Sequence, residues 1–384
     1  MRLLLPFRRV RENGAPPSGL PASLEELVRR EMADVFAVSS QGTRGRGLTF
    51  VGDLLVPADR ALPILEARLR PHGFTPFLSR VDGRFWLDAL PAADTAPPGG
   101  LRLNVVLFIL TLISTVIAGY IVAGSFPYVT FDPMRQPWRL LDGLPFAITL
   151  LGILGTHEFG HYFAARHHGA AVSLPYFIPA PPPLFPFGTL GAVIRMRSPV
   201  RDRNALLDIA VAGPLAGLVV ALPALWLGLS WSKVAPVPVG GGTVEFGDSL
   251  LMHAMVRTVF GSLPPGTDVF VHPVALAGWV GLFVTALNLF PVGQLDGGRI
   301  AYALFRGYHR TVSIATVVAL VAMGLVSGAP NWFVFAALVM VLIGVDHAPP
   351  MDDITPLSRG RTAVGLACLV LLVLLVPPVP MSFH

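Results

Sequence analysis

Of the 384 residues, 53% are hydrophobic and only 13% charged, against about 25% charged in soluble domains, which excludes an ordinary water-soluble globule. Almost all the basic side chains behind the formal net charge of +5 are arginines, many of them in short connecting segments, with no base-reading motif. That pattern speaks for membrane orientation and for no nucleic-acid partner. A single cysteine, Cys368, excludes an intramolecular disulfide and a cysteine-built metal site, so any metal ligands must be His and carboxylate.

Residues 1–100 hold a large share of the charges and pattern as a small soluble α+β domain with a linker. The opening Met1-Arg-Leu-Leu-Leu-Pro-Phe-Arg-Arg is too short in apolar residues, and too soon interrupted by charge, for a signal peptide. Ser23 with Glu26 three positions later predicts a capped helix. Leu48 to Leu55 predicts a strand and Ala58 to Leu69 an amphipathic helix. Phe77 to Val81 and Arg84 to Leu87 predict a hairpin turning at Asp82-Gly83. The order is β-α-β-β-like, and Ala92 to Gly100 reads as the linker.

Residues 101–384 read as a polytopic α-helical membrane domain, with hydrophobic spans at 103–124, 144–168, 205–229, 273–292, 311–327, 332–346 and 362–377. Crossing a bilayer takes about 20 apolar residues. Seven crossings are expected, or six if the two short spans form one hairpin. Arg166, Arg195, Arg197, Arg201 and Arg203 follow the second span, and Arg299, Arg306 and Arg310 follow the fourth. The 230–270 loop sets only Lys233 and Arg257 against Glu245, Asp248 and Asp268. The positive-inside rule therefore puts the first two segments and the N-terminal domain on the cytoplasmic side.

Within the second span, His157-Glu158-Phe159-Gly160-His161 reads H-E-x-x-H. On a helix, residues i and i+4 share a face, so His157 and His161 can turn to one divalent cation while Glu158 reaches water beside it. The three specified positions could occur by chance. Ionisable groups cost about 3 kcal/mol each within a bilayer, however, and three in one turn of an apolar segment argue for use. From Leu144 to His157 the helix climbs about 20 Å, which sets the site roughly two-thirds of the way across, nearer the cytoplasm.

A catalytic zinc takes three protein ligands and keeps one open position. The best third candidate is Asp296 in Asn288-Leu-Phe-Pro-Val-Gly-Gln-Leu-Asp296-Gly-Gly-Arg299, at the same expected depth, where Pro and Gly break the helix. Its rival reading is a helix-ending Asp in an Asp-Gly turn. His167 and His168 read as interfacial snorkelling groups, His272 as a cap, and Cys368 as a small hydrophobe.

These motifs resemble the site-2 protease family of intramembrane zinc metalloproteases, in which an H-E-x-x-H helix is paired with a later N-x-x-P-x-x-x-L-D-G helix. Gly213-Pro-Leu-Ala-Gly217 looks like a further family element, and His272-Pro-Val-Ala-Leu-Ala-Gly278 is similar to the branch with chloroplast and cyanobacterial members. The resemblance covers about 100–310 well and 1–100 loosely. It departs from the sigma-factor-regulating branch in having no recognisable PDZ domain. It implies Zn2+ held by His157, His161 and Asp296, Glu158 as general base, and Asn288 as a polar group near the scissile peptide. The expected activity is hydrolysis of peptide bonds within or near transmembrane segments of membrane proteins. A non-proteolytic metal-binding or transport protein on the same fold is the alternative, although it has no need of the Glu.

One more segment bears on substrate. Between the second and third spans, Leu174 to Arg195 is apolar yet too rich in Pro for a spanning helix. Its stretch containing Gly188, Thr189, Leu190 and Gly191 has strand composition, and an unpaired edge there could dock unwound substrate by strand addition. The competing reading is an ordinary cytoplasmic loop. Abundant Pro, Gly, Ala and Arg with a single Lys point to a GC-rich bacterial source, hence to a bacterial inner membrane. The expected partners are the lipid bilayer and transmembrane substrates, and the sequence sets no oligomeric state.

Overall fold

The computed structural model describes residues 22–92, 100–124, 137–182, 185–237 and 244–383. Most of the expected linker, at 93–99, lies outside them. The chain divides into two compact units: one of 1–96 with 197–206 and 348–358, the other of 97–196, 207–347 and 359–384.

The first unit runs α1 (Ala22–Met32), β1 (Phe36–Arg44), β2 (Gly47–Leu54), α2 (Ala58–Leu69), β3 (Phe74–Val81) and β4 (Arg84–Pro91). Its antiparallel sheet has the order β1-β2-β4-β3. Alternation sets Phe74, Pro76 and Leu78 of β3 inward, against a core that includes Val28, Met32, Phe50, Leu62, Leu65 and Leu87. Asp82 and Gly83 both take positive φ, 50° and 82°, the pair of left-handed residues that a two-residue hairpin of this hand requires. Strand β1 is the element the pattern did not predict. Its Ser-Ser-Gln-Gly-Thr stretch is mostly exposed at the sheet edge and carries no apolar alternation.

Two distant segments complete this unit. The Leu78 N–H donates to the Met351 carbonyl at 2.7 Å and Asp353 N–H returns to Leu78 at 3.0 Å, so 348–358 lies along β3. On its other side Met351 and Asp352 N–H groups donate to Val200 and Arg201 carbonyls at 2.9 and 2.7 Å. The Asp352 carboxylate accepts the Ile354 and Thr355 N–H groups at 2.8 and 2.9 Å. At 2% exposure it is a buried turn-former, whose loss would strand donors at about 1–3 kcal/mol.

The second unit begins with α3 (Leu101–Gly124), a 3-10 turn (Pro137–Gly143) and α4 (Leu144–His167). A hairpin of β5 (Tyr176–Pro179) and β6 (Thr189–Val193) follows, then α5 (Arg203–Ser230), whose first residues belong to the other unit. Next come β7 (Lys233–Pro236), β8 (Val244–Phe246), α6 (Leu250–Phe260), β9 (Thr267–Phe270), α7 (Pro273–Leu289), α8 (Asp296–Phe305) and α9 (His309–Ser327). The chain ends with α10 (Pro330–Leu338) and its π turn (Val339–Ile343), α11 (Arg359–Leu375) and β10 (Met381–Phe383).

Among the described residues, four stretches are long and apolar enough to cross a membrane: 101–123, 137–167, 203–230 and 296–327. Of the other expected spans, α7 and the α10 run are shorter apolar helices and α11 has 17 residues. Helices α6 and α8 were not expected, because each is a short amphipathic piece that a 20-residue hydropathy window averages away.

Helix α3 carries a buried polar stripe that holds the β5–β6 hairpin. Asn104 Nδ2 donates to the Leu174 and Pro175 carbonyls at 3.2 and 2.8 Å, and Ser114 Oγ to the Gly188 carbonyl at 2.6 Å. Gly188, at φ 77°, lies so close to the Ser114 and Thr115 backbone that a Cβ would collide with it. The hairpin is thereby fixed along a helix whose other faces are exposed and apolar.

Candidate metal centre

Helix α4 sets His157 and His161 one turn apart, each 3% exposed. Their Nε2 atoms are 3.2 Å apart, and Asp296 Oδ2 lies 3.1 Å from the His161 Nε2 and 3.4 Å from that of His157. These are the edges of a tetrahedral ligand set: bonds of about 2.0–2.1 Å place neighbouring ligand atoms roughly 3.3–3.4 Å apart. Among the described residues this is the one group of three or more His, Cys, Asp or Glu able to hold a metal.

The hydrogen bonding tests whether a cation fits. His161 Nδ1 is 2.7 Å from the Ile209 carbonyl, which can only accept, so Nδ1 carries the proton and Nε2 is a bare lone pair. That lone pair points at a carboxylate oxygen and at a second imidazole. Acceptors so arranged repel one another in a buried site, and a divalent cation at their centre turns the repulsion into three bonds. The donor set therefore fits a resident metal ion.

Asp296 reaches this point because the chain breaks between α7 and α8. A Cβ on Gly297 would collide with the Leu289 carbonyl, and one on Gly298 with those of Gly293 and Val292, so the tight return demands glycine. Arg299 Nη1 lies 3.7 Å from Asp296 Oδ1, which leaves Oδ2 to the histidines. Asn288, on the last turn of α7, is also brought in, its Nδ2 3.4 Å from His157 Nε2.

Glu158 is buried beside the pair but outside the ligand group. The backbone N–H of Ile194, one residue past β6, donates to its carboxylate. Gly188, Thr189, Leu190 and Gly191 stand away from the ligand group. Thr189 Oγ donates to the Ile178 carbonyl at 2.9 Å and receives the Gly191 N–H at 3.0 Å, while Leu190 is 62% exposed. One edge of β6 pairs with β5, and among the described residues no strand pairs with the other.

Two features go beyond the sequence reading, in which Gly213 to Gly217 is only a family element. Helix α5 presses against both histidines, through Gly213 at the Nε2 end of the His161 ring and through Gly217 at the Cβ end of His157. A Cβ on Gly213 would fall on the His161 ring, and one on Gly217 would sit 3.2 Å from the His157 Cβ. The G-x-x-x-G spacing on an apolar helix was the available signal. The Ile209 carbonyl had none, since backbone groups leave no mark in sequence. His168, expected to snorkel, instead sits 2.9 Å from Asp208, which also takes two bonds of 2.8 Å from Arg361. His272 caps α7, its Nδ1 accepting the Val274 N–H at 3.2 Å.

A metal-fitting His-Glu-x-x-His helix among apolar helices, closed by a carboxylate from a broken helix, defines a membrane-embedded metalloprotease. The model of peptidase family M50 matches residues 145–329, which span this whole site. Over that stretch the chain is similar to this family, the site-2 proteases, and the relatives it matches are named chloroplastic. It is 28% identical to a rice (Oryza sativa subsp. indica) protein named probable zinc metalloprotease EGY2, chloroplastic, over 96% of this chain and 70% of that one. Arabidopsis thaliana probable zinc metalloprotease EGY1, chloroplastic, is 35% identical over 61% of this chain and 43% of its own. A rice EGY3 of the same description is 30% identical over 87% and 60%. No solved structure matches.

The contact at Gly213 gives a direct test. Gly213→Ala should displace the His161 ring and weaken metal binding by about tenfold or more, as loss of an outer partner does. Chelator competition on the purified protein measures it, and undiminished metal retention would refute the packing account.

Proposed function

We propose that His157, His161 and Asp296 hold zinc and that Glu158 serves as general base in hydrolysing peptide bonds within or beside transmembrane segments of other membrane proteins. The observation that carries this reading is the convergence of three ligand atoms within 4.8 Å of one another, with Glu158 buried next to them and outside the set. The printed names of the relatives, zinc metalloproteases, agree with it. Bound zinc would supply Lewis acidity, polarising the scissile carbonyl and bringing the pKa of its water to about 7.

The chain's own residues do the rest. Glu158 removes a proton from the attacking water onto a carboxylate oxygen and delivers it to the departing amine nitrogen. The Ile194 N–H holds that carboxylate in place. Asn288 offers an amide donor beside the His157 ligand atom, where it can bind the substrate carbonyl. A helical substrate hides its carbonyls in its own hydrogen bonds, so it must arrive extended. The open edge of β6, with Gly188, Thr189, Leu190 and Gly191, is the proposed docking strand, and its continuation into Ile194 leads directly to Glu158. A transport reading leaves Glu158 without a task.

The domain reading pairs a soluble α+β domain of 1–100 with a protease domain of 101–384. Seven crossings remain the proposed count. Helices α7 and α11, about 25 Å each at 1.5 Å per residue, and the α10 run join the four long stretches by local thinning of the bilayer. The arginine asymmetry puts the N-terminal unit and the site on the cytoplasmic, or topologically equivalent, side. The relatives are named chloroplastic, and they lend no support to a bacterial inner membrane.

Three outcomes follow. Glu158→Gln should keep about one zinc per chain, because the ligand set is intact, yet cleave a model transmembrane substrate at least 100-fold more slowly; loss of zinc or wild-type cleavage would end the role assignment. Leu190→Pro removes a donor from β6, so cleavage should drop with zinc content unchanged, and undiminished cleavage would dismiss the docking strand. For orientation, a cysteine at Ser262 should react with an impermeant reagent from outside intact cells while one at Arg201 stays protected. The opposite pattern would invert the topology.

A further inference from the structure

The hydrogen bond from His161 Nδ1 to Ile209 decides which nitrogen faces the metal, yet Ile209 is held by a weakened helix. Pro214 provides no N–H for the Ala210 carbonyl, and its ring pushes on that turn, so α5 alone is poorly placed to hold its carbonyls to a fraction of an ångström. The residue before Ile209 is Asp208. Its carboxylate receives Arg361 Nε on Oδ1 and Nη2 on Oδ2, both at 2.8 Å, and His168 Nε2 stands 2.9 Å from Oδ2. A forked guanidinium pair fixes direction as well as distance.

Three helices meet at this carboxylate. His168 caps α4, the helix that carries His161, and Arg361 lies in the first turn of α11. A closed circuit results: His161 to the Ile209 carbonyl, along the chain to Asp208, across to His168, and back along α4. The circuit contacts α4 at two points seven residues apart, about 10 Å at 1.5 Å per residue. It thereby sets the register of α5 on α4 at the ligand itself. Resting on the metal reading above, we infer that Asp208, braced by Arg361 and His168, is a positioning residue for His161. Through the Ile209 carbonyl it keeps the proton on Nδ1 and the bare Nε2 on the metal. Helix α11, which supplies no ligand, is by this route part of the metal site's support.

An ion pair this exposed, with Arg361 and Asp208 side chains at 39% and 28%, could instead serve stability alone, where such pairs count for little. The two roles separate in measurements on the full-length protein in detergent. Arg361→Gln, Arg361→Lys and Asp208→Asn are compared with wild type for zinc loss to a chelator and for the visible spectrum of the cobalt-substituted protein. Turnover of a transmembrane substrate and melting temperature complete the set. Positioning predicts zinc loss about tenfold faster in Arg361→Gln and Asp208→Asn. It also predicts an altered cobalt spectrum and a lowered kcat with KM within twofold, Arg361→Lys falling between. Wild-type zinc loss and an unchanged cobalt spectrum, whatever the melting temperature, would overturn the inference and leave the metal reading intact. Should Arg361→Gln fail to fold, His168→Gln gives the same readouts from the other side of the carboxylate. A wild-type protein that takes up neither zinc nor cobalt would overturn the metal reading, and this inference with it.

Discussion

With both histidines neutral, three lone pairs aimed at one point, two from imidazole and one from a carboxylate, repel one another inside a packed bundle of apolar helices, and a cation at their centre relieves that repulsion. Much of the second unit follows from meeting that demand. Helix α4 provides two of the three atoms from a single face. The third must come from another helix, and a carboxylate on an unbroken apolar helix could not turn back far enough to meet them. The break between α7 and α8, with glycines where any side chain would strike the Leu289 and Val292 carbonyls, is how the chain delivers Asp296. Each irregularity in an otherwise regular membrane bundle has a task at this point.

Close packing supplies what the ligands themselves lack. Gly213 and Gly217 let α5 lie against the two histidine side chains, which removes rotational freedom from both. The same approach brings the Ile209 carbonyl within 2.7 Å of His161. In a membrane, where helices gain little from hiding apolar surface from lipid, such small-residue contacts are a main source of helix association. The contact that assembles the bundle here is also the one that orients a ligand.

A protease in this setting has to bring an extended peptide where backbone hydrogen bonds are hardest to satisfy outside a helix. The β5–β6 hairpin addresses this. It is itself non-helical backbone, kept in place by Asn104 and Ser114 of α3, which spend buried polar groups on its carbonyls. The residue just past its second strand, Ile194, turns its N–H to Glu158. On the proposed reading, the docking strand would thus lead to the general base.

What the sequence determined by itself were the features written in local spacing. The i, i+4 histidines, the apolar lengths of α3, α4 and α5, the Asp82-Gly83 hairpin and the first helix depend on neighbours within one or two turns, so composition and period suffice to find them; the expected cap, Ser23, falls inside that helix, which begins at Ala22. Asp296 was reachable because broken-helix residues stand out in an apolar run. Only the tertiary structure decided the rest, and for a common reason. The Ile209 carbonyl is a backbone atom without a residue signature, and Asp208, His168 and Arg361 come together from positions up to 193 residues apart, 361 less 168. The edge strand β1 and the 348–358 segment beside β3 carry no regular apolar period, and their place is set by partners distant in the chain. Local periodicity records which face of an element is apolar, but it carries no record of what that face will meet.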